Sequence, residues 1–150
     1  MGRLMAWVLS VAISLTVWSG TAASTQQATV AVVTTTPDAA GQRLAHRVRE
    51  KIRQSAGMRL VADERDSAIQ LRLITVDPSQ ANEGHSTAYS VTWTMKAFTG
   101  GIGQVYLTQY VGICGTTRID ACAENLVAIT VRQIGQVQPF IRAVLGSSSQ

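Results

Sequence analysis

The clearest pattern in the chain is a strict alternation of apolar and polar side chains over residues 89–96, with the sequence YSVTWTMK. A period of two is typical of a β-strand with one buried face. A Thr- and Gly-rich stretch at 99–103 follows, and residues 104–114 return as a second strand, so the two segments are predicted to form a hairpin. Residues 28–35 and 69–76 have further strand patterns, and residues 58–62 a weaker one.

Two other segments have apolar side chains at helical spacing. The first is predicted to begin at Pro37, with Thr36 as its N-cap, and to end before Gly57. The second runs from 120 to 134, and residues 138–145 are expected to restart as a short final helix. The resulting order, β-α-β-β-β-α, predicts an α+β fold in two layers: a mostly antiparallel four-stranded sheet with two helices on one face.

A hairpin turn centred on Gly101 would pair Trp93 with Gln109. Directly paired residues share a face of the sheet, so odd-numbered residues of both strands are expected beneath the helices. This register puts Val111 and Ile113 in the core and places Tyr106 and Tyr110 together on the open face. The same register leaves Cys114 on the open face, away from Cys122 at the start of the second helix. Either a twist at Gly112 and Gly115 turns Cys114 over, or a bulge near Gly112 shifts the parity of the strand.

The amino terminus has the organisation of a secretory signal peptide. Arg3 precedes an apolar run at 4–18, and small residues follow at 19–24. The run is shorter than the roughly 20 apolar residues that a bilayer requires, so we expect cleavage and no membrane span afterwards. The expected organisation is a signal peptide at 1–23, one α+β domain at 24–146 and a disordered tail at 147–150. Sec-type export to the periplasm or the exterior follows.

The predicted export affects how the net charge and the two cysteines are interpreted. The formal net charge of +4 and the pI near 9.6 would suit nucleic acid, but an exported chain is not expected to meet it. Cys114 and Cys122 are the two cysteines, and in an oxidising compartment they are predicted to form a structural disulfide. Their spacing is not that of a redox Cys-x-x-Cys pair, and His46 and His85 lie far from them in sequence. No metal or cofactor is therefore predicted.

Two surfaces are candidates for binding, and no catalytic motif is recognisable. The first is the open sheet face, whose aromatic and hydroxyl side chains suit a partner-binding platform: Tyr106, Tyr110, Thr92, Thr94 and Arg72. The second is the basic side of the first helix, which suits an anionic surface: Arg43, Arg47, Arg49, Lys51 and Arg53. The alternatives are an ordinary exposed strand and a solvated helix face. Both histidines are expected to be surface residues.

The export signal, the element order and the size of segment 28–134 resemble small exported accessory domains of bacterial envelope assemblies. The resemblance is to the outer-membrane lipoprotein partners of lipopolysaccharide and polysaccharide export machines. It implies a non-enzymatic binding or assembly role, with another envelope protein as partner. Two alternatives remain open: an envelope hydrolase whose site is not recognisable in the sequence, and a protein that binds anionic surfaces through the basic first helix.

Overall fold

The structure, a computed structural model, describes residues 27–79, 84–96 and 103–146, and side chains as far as residue 139. The predicted signal peptide, the predicted turn around Gly101 and the predicted tail lie outside these residues. The strands are β1 (Ala28–Thr35), β2 (Met58–Val61), β3 (Ile69–Val76), β4 (Ser86–Lys96) and β5 (Gln104–Gly115), and the helices are α1 (Ala39–Gln54) and α2 (Ile119–Gly146). No helix within the described part of the chain has the length and hydropathy needed to cross a membrane.

The predicted α+β sandwich is confirmed, but the prediction of four mostly antiparallel strands is wrong. Five strands form one mixed sheet in the order β2-β1-β3-β4-β5. The central strand β1 is parallel to both β2 and β3, and only the β3–β4 and β4–β5 pairs are antiparallel. The crossover by α1 carries the chain back to the same end of the sheet and makes β1-α1-β2 a parallel unit. The strand β3 is also parallel to β1 because it begins level with the end of β2: Val61 pairs with Ala31, and Ile69 pairs with Val30.

Both helices pack on one face of this sheet and share its core. Leu44, Val48 and Ile52 of α1 are fully buried against the sheet, as the helical spacing predicted. Trp93 of β4 is also fully buried, and its indole Nε1 donates a 2.8 Å hydrogen bond to Thr130 of α2. The pair joins the sheet to α2 and satisfies the polar atom of the largest core side chain.

The second helix is longer than expected. It is one continuous helix of 28 residues with Pro139 inside it, where the sequence predicted a stop near residue 134 and a restart at 138. Proline has no backbone N–H, so one hydrogen bond of the helix is missing at Pro139. The neighbouring residues keep their own donors, and the helix continues through Pro139 at a cost in stability.

The predicted hairpin register is wrong, because β5 contains a bulge. Trp93 pairs with Thr108, whereas Met95 pairs with Val105, so Leu107 is an extra residue without a partner on β4. An inserted residue reverses which side chains of the bulged strand face the core beyond that point. From Thr108 onward the even-numbered residues of β5 therefore lie on the helix-covered face, and the odd-numbered ones lie on the open face.

The amino terminus of α1 is anchored to the sheet by a buried carboxylate. The N-cap is Asp38 and not the predicted Thr36, and the helix begins at Ala39. Asp38 accepts a 2.7 Å hydrogen bond from the backbone N–H of Gly41. Its other oxygen accepts a hydrogen bond from the Thr75 hydroxyl, and the Thr87 hydroxyl also contributes. Burial alone would raise the pKa of Asp38, but these hydrogen bonds to the charged form outweigh it, and the pKa is lowered.

This network predicts a specific loss of stability in acid. A carboxylate whose pKa is lower in the folded state contributes stability above its unfolded pKa, and the contribution disappears as the pH falls through the folded pKa. We expect the Asp38→Asn variant, which keeps an N-cap but cannot ionise, to be less stable than the wild type at pH 7. The difference should shrink below about pH 4. Urea unfolding followed by circular dichroism from pH 7 to pH 2 measures it, and a difference independent of pH would contradict the assignment.

Candidate functional site

One edge of the sheet is an unusually long and uncharged strand. The edge strand β5 has 12 residues, QVYLTQYVGICG, and none of them carries a charge or is a proline. The opposite edge, β2, has only four residues and includes the exposed Arg59. Natural sheets normally shield their edges with charges, proline or short strands, because an edge presents unpaired N–H and C=O groups. β2 follows that rule and β5 departs from it, apart from its bulge.

An apolar patch lies on the open face directly beside this edge. It consists of Ile74, Val76, Val111 and Ile113, whose exposed fractions are 48%, 57%, 64% and 71%. The register aligns them in two rows across β3, β4 and β5: Ile74, Ser90 and Val111 form one, and Val76, Ala88 and Ile113 form the other. Directly opposed residues share a face, so the four side chains form one continuous surface. We call this surface the apolar patch.

The other end of the open face is covered. A short 3-10 turn, Glu64–Asp66, connects β2 to β3 and contacts β1. Its Glu64 carboxylate accepts a hydrogen bond from Gln70, and both Gln70 and Ala31 are buried although they belong to the open face. Ile74, Val76, Val111 and Ile113 therefore lie at the end of the sheet that the turn does not reach.

A groove of about 290 Å³ lies on the helix side of the same edge, between the end of β5 and the start of α2. Its wall includes Cys122, which forms a disulfide with Cys114 across a Cα–Cα distance of 6.3 Å. The rings of Tyr89 and Tyr110 lie in contact within it, with centroids 6.1 Å apart. The remaining polar lining comes from Arg118 and Asn125.

The described lining of the groove is positively charged. Arg118 is the only charged residue of its lining, and it makes no ion pair with the part of the chain that the structure describes. Burial, together with the adjacent Tyr110 hydroxyl, raises the pKa of Tyr89, so this phenol stays protonated at neutral pH. Among the described residues, guanidinium, phenol and amide groups line the groove and no acid does, which suits an anionic or acceptor-bearing ligand.

Four of the five predicted sheet-face residues lie together on the open face. Arg72 and Thr92 are directly paired, and Thr94 is paired with Tyr106, which is 60% exposed. Tyr110 is the exception. It pairs with the buried Val91 and lies on the helix side of the sheet, because the bulge at Leu107 reversed the faces. The two tyrosines therefore belong to different surfaces.

The predicted basic helix face is engaged largely in internal contacts. Arg47 pairs with Glu50 and Asp120, at 2.8 and 2.9 Å, and Lys51 pairs with Glu124 at 2.6 Å. These contacts lower the pKa values of Glu50 and Glu124. The three pairs lie within α1 or between α1 and α2.

The other three cations of this helix differ from one another. Arg49 donates to the Thr34 hydroxyl and to the Val32 carbonyl, beneath the helix. Only Arg43 and Arg53 of the predicted set have neither an ion pair nor a side-chain hydrogen bond within the described residues. The cations that remain available to an anionic surface are thus few.

His46 and His85 are exposed and lie on different parts of the described structure. His46 lies 3.4 Å from Glu50 on the exposed side of α1, beside a cleft of about 530 Å³. The acid that lines this cleft, Asp120, is held by Arg47. His85 is exposed and precedes β4. Over the described segments, no group of three or more His, Cys, Asp or Glu side chains is placed to hold a metal ion.

Sequence reasoning missed the residues that define these surfaces. Val111 and Ile113 were assigned to the core, and Arg118 and Asn125 were not singled out. The available signal was Cys114: a disulfide to Cys122 at the start of the helix requires Cys114 to point towards the helices. That requirement alone places Val111 and Ile113 on the opposite face, since they differ from Cys114 in parity.

Comparison with known proteins assigns no function to the chain. No protein-family model matches it, and no curated protein matches it. Among solved structures, the hypothetical protein CT253 from Chlamydia trachomatis is a weak neighbour, with 10% sequence identity and a TM-score of 0.35. That alignment covers 58% of this chain and 71% of the chlamydial one.

Proposed function

We propose that this protein is an exported, non-enzymatic binding or assembly protein that captures an extended strand of another protein along β5. The observation that carries the proposal is an uncharged 12-residue edge strand that borders the exposed apolar patch. Strand addition at a sheet edge supplies main-chain hydrogen bonds, and alternate side chains of the added strand contact the two faces. The apolar patch would cover every second side chain of the added strand.

The partner is expected to be in the periplasm or outside the cell. The disulfide between Cys114 and Cys122 belongs to oxidising compartments, and the predicted signal peptide at 1–23 would deliver the chain there. An envelope or extracellular protein with an exposed strand is the occupant that fits the disulfide and the predicted signal peptide.

A second copy of this chain is the alternative occupant. Two antiparallel β5 strands would bring the Gln104 end of one copy beside the Gly115 end of the other. Lys96, which is paired with Gln104, donates to the Arg65 carbonyl on the open face, whereas Arg118 lies in the groove on the helix side, so charge does not exclude this arrangement. Sedimentation distinguishes a second copy from a foreign strand.

A charge placed on the apolar patch should weaken capture strongly. The probe is a labelled peptide in which isoleucine alternates with threonine, flanked by Gly-Ser pairs, followed by fluorescence anisotropy. We expect Val111→Lys to weaken binding about tenfold or more, because an ammonium group would be desolvated against isoleucine. The matched control is Val131→Lys, the same substitution at a 51% exposed position on α2, which should bind as the wild type does.

Hydrogen exchange and sedimentation complete the test. Peptide binding should slow amide exchange in residues 104–115 and leave β2 unchanged, since added main-chain bonds form only at β5. Equal binding by both lysine variants, or no binding of any such peptide at millimolar concentration, would refute strand capture. A wild-type dimer that Val111→Lys dissociates would identify a second copy as the occupant and overturn the proposed partner.

A further inference from the structure

Strand capture at β5, if the proposed function holds, would place one side chain of the partner directly over the groove. An added strand alternates its side chains between the two faces, in step with β5. Its residues opposite Val111 and Ile113 would contact the apolar patch. The residue between them would lie opposite Gly112, on the helix side, where Tyr110 and Cys114 also face.

The Tyr89 side chain occupies the space above Gly112. A Cβ atom on residue 112 would lie 2.8 Å from the Tyr89 hydroxyl oxygen and 2.9 Å from the ring carbon that bears it. Tyr89 therefore fills the space that a side chain at residue 112 would take, between Tyr110 and Cys114, and its hydroxyl lies above β5. A partner side chain opposite Gly112 would approach this hydroxyl, which is part of the groove lining.

The groups that line the groove determine which partner side chain it can bind. Arg118 has no ion pair among the described residues, and the lining has no acid. Tyr89, Tyr110 and Asn125 add neutral donors beside the guanidinium. A carboxylate can accept from several donors at once, and charge-assisted hydrogen bonds are about twice as strong as neutral ones.

We propose that the groove binds a partner's aspartate or glutamate side chain, so that β5 selects strands with an acidic residue between two apolar ones. The apolar residues contact Val111 and Ile113, and the carboxylate between them enters the groove beside Arg118. Selection of this apolar-acidic-apolar sequence distinguishes the site from a general sheet edge, which would accept any alternating strand.

Three peptides that differ at one position test the selection. Each has the alternating isoleucine-threonine sequence, with the central threonine replaced by glutamate, glutamine or lysine. We expect the wild-type protein to bind the glutamate peptide about tenfold more tightly than the glutamine peptide, and the lysine peptide more weakly than either. The preference for glutamate should decrease with rising salt, because the guanidinium lies at an exposed rim.

The variants assign that preference to Arg118. Arg118→Gln should remove the glutamate preference and leave the affinity for the glutamine peptide unchanged, whereas Arg118→Lys should retain part of the preference. Arg132→Gln, an exposed arginine of α2 that is not part of the groove lining, is the matched control and should behave as the wild type.

The outcomes separate this inference from the proposed function. Equal wild-type affinity for the glutamate and glutamine peptides, with both affinities abolished by Val111→Lys, would overturn the acidic selection and leave strand capture in place. A glutamate preference that survives Arg118→Gln would also overturn the assignment to this groove. Failure of all three peptides to bind would remove strand capture and the selection together.

Discussion

The substitution Gly41→Ala should destabilise the protein by about 2–3 kcal/mol, although it places a better helix former inside a helix. A Cβ atom on residue 41 would lie 2.0 Å from the Thr75 hydroxyl oxygen and 2.6 Å from an Asp38 carboxylate oxygen. Something must move, and each atom that can move belongs to the buried network that caps α1. Overpacking and a weakened cap together exceed the gain of about 1 kcal/mol in helix propensity.

A second glycine provides the matched control. Gly135 lies in α2 with open space around its Cα, so Gly135→Ala should stabilise the protein by about 0.5–1 kcal/mol. Urea unfolding at pH 7, followed by circular dichroism, measures both changes, which should have opposite signs. A Gly41→Ala variant as stable as the wild type would show that α1 can begin without the close approach to Thr75.

The clash itself can be assigned by a double substitution. Thr75→Ala removes a buried hydroxyl that donates to Asp38, and it should be costly in the wild-type background. In the Gly41→Ala background the same change also relieves the closest contact, so its cost should be smaller. The difference between the two costs is the coupling energy between residues 41 and 75.

Local pattern was sufficient to predict most elements and their buried faces. The alternation over 89–96 identified Tyr89, Val91, Trp93 and Met95 as core residues, and all four are buried. The apolar spacing in α1 was equally informative, because a helix stripe and a strand face are set by side-chain direction alone. These features depend on neighbours along the chain and need no knowledge of the partner.

Strand order and direction could not be predicted in the same way. The four residues of β2 carry little pattern of their own, and the sequence of β1 does not specify whether its neighbours run parallel to it. The connection decides, since a helix such as α1 allows a parallel return that a short turn does not. The pattern alone favoured the antiparallel alternative.

The error in β5 has a physical meaning. Val105, Leu107, Val111 and Ile113 share odd parity, which predicts a single buried face, but the bulge at Leu107 divides the row. Beyond the bulge, Val111 and Ile113 turn to solvent and form the apolar patch with Ile74 and Val76. Apolar side chains that the protein's own core does not cover are typical of a surface that another protein covers. Val111 and Ile113, which the sequence pattern assigned to the core, are therefore the best candidates for the binding surface.

Removal of the disulfide should lower the free energy of unfolding by about 2.5 kcal/mol. The Cys114–Cys122 bond closes a short loop across the 3-10 turn Thr116–Arg118 and joins the end of β5 to the first turns of α2. Its loss restores the loop entropy of the unfolded chain, which accounts for most of the expected effect. The double variant Cys114→Ala/Cys122→Ala should show the change in urea unfolding at pH 7.

A reductant provides the control for this prediction, because the chain has only two cysteines. Dithiothreitol should lower the unfolding midpoint of the wild type to near that of the double variant, and it should leave the double variant unchanged. A wild-type midpoint that ignores the reductant would refute the stabilising role of the bond. Because the bond also fixes the groove wall beside Arg118, the oxidised wild type should discriminate between the glutamate and glutamine peptides more strongly than the reduced protein does.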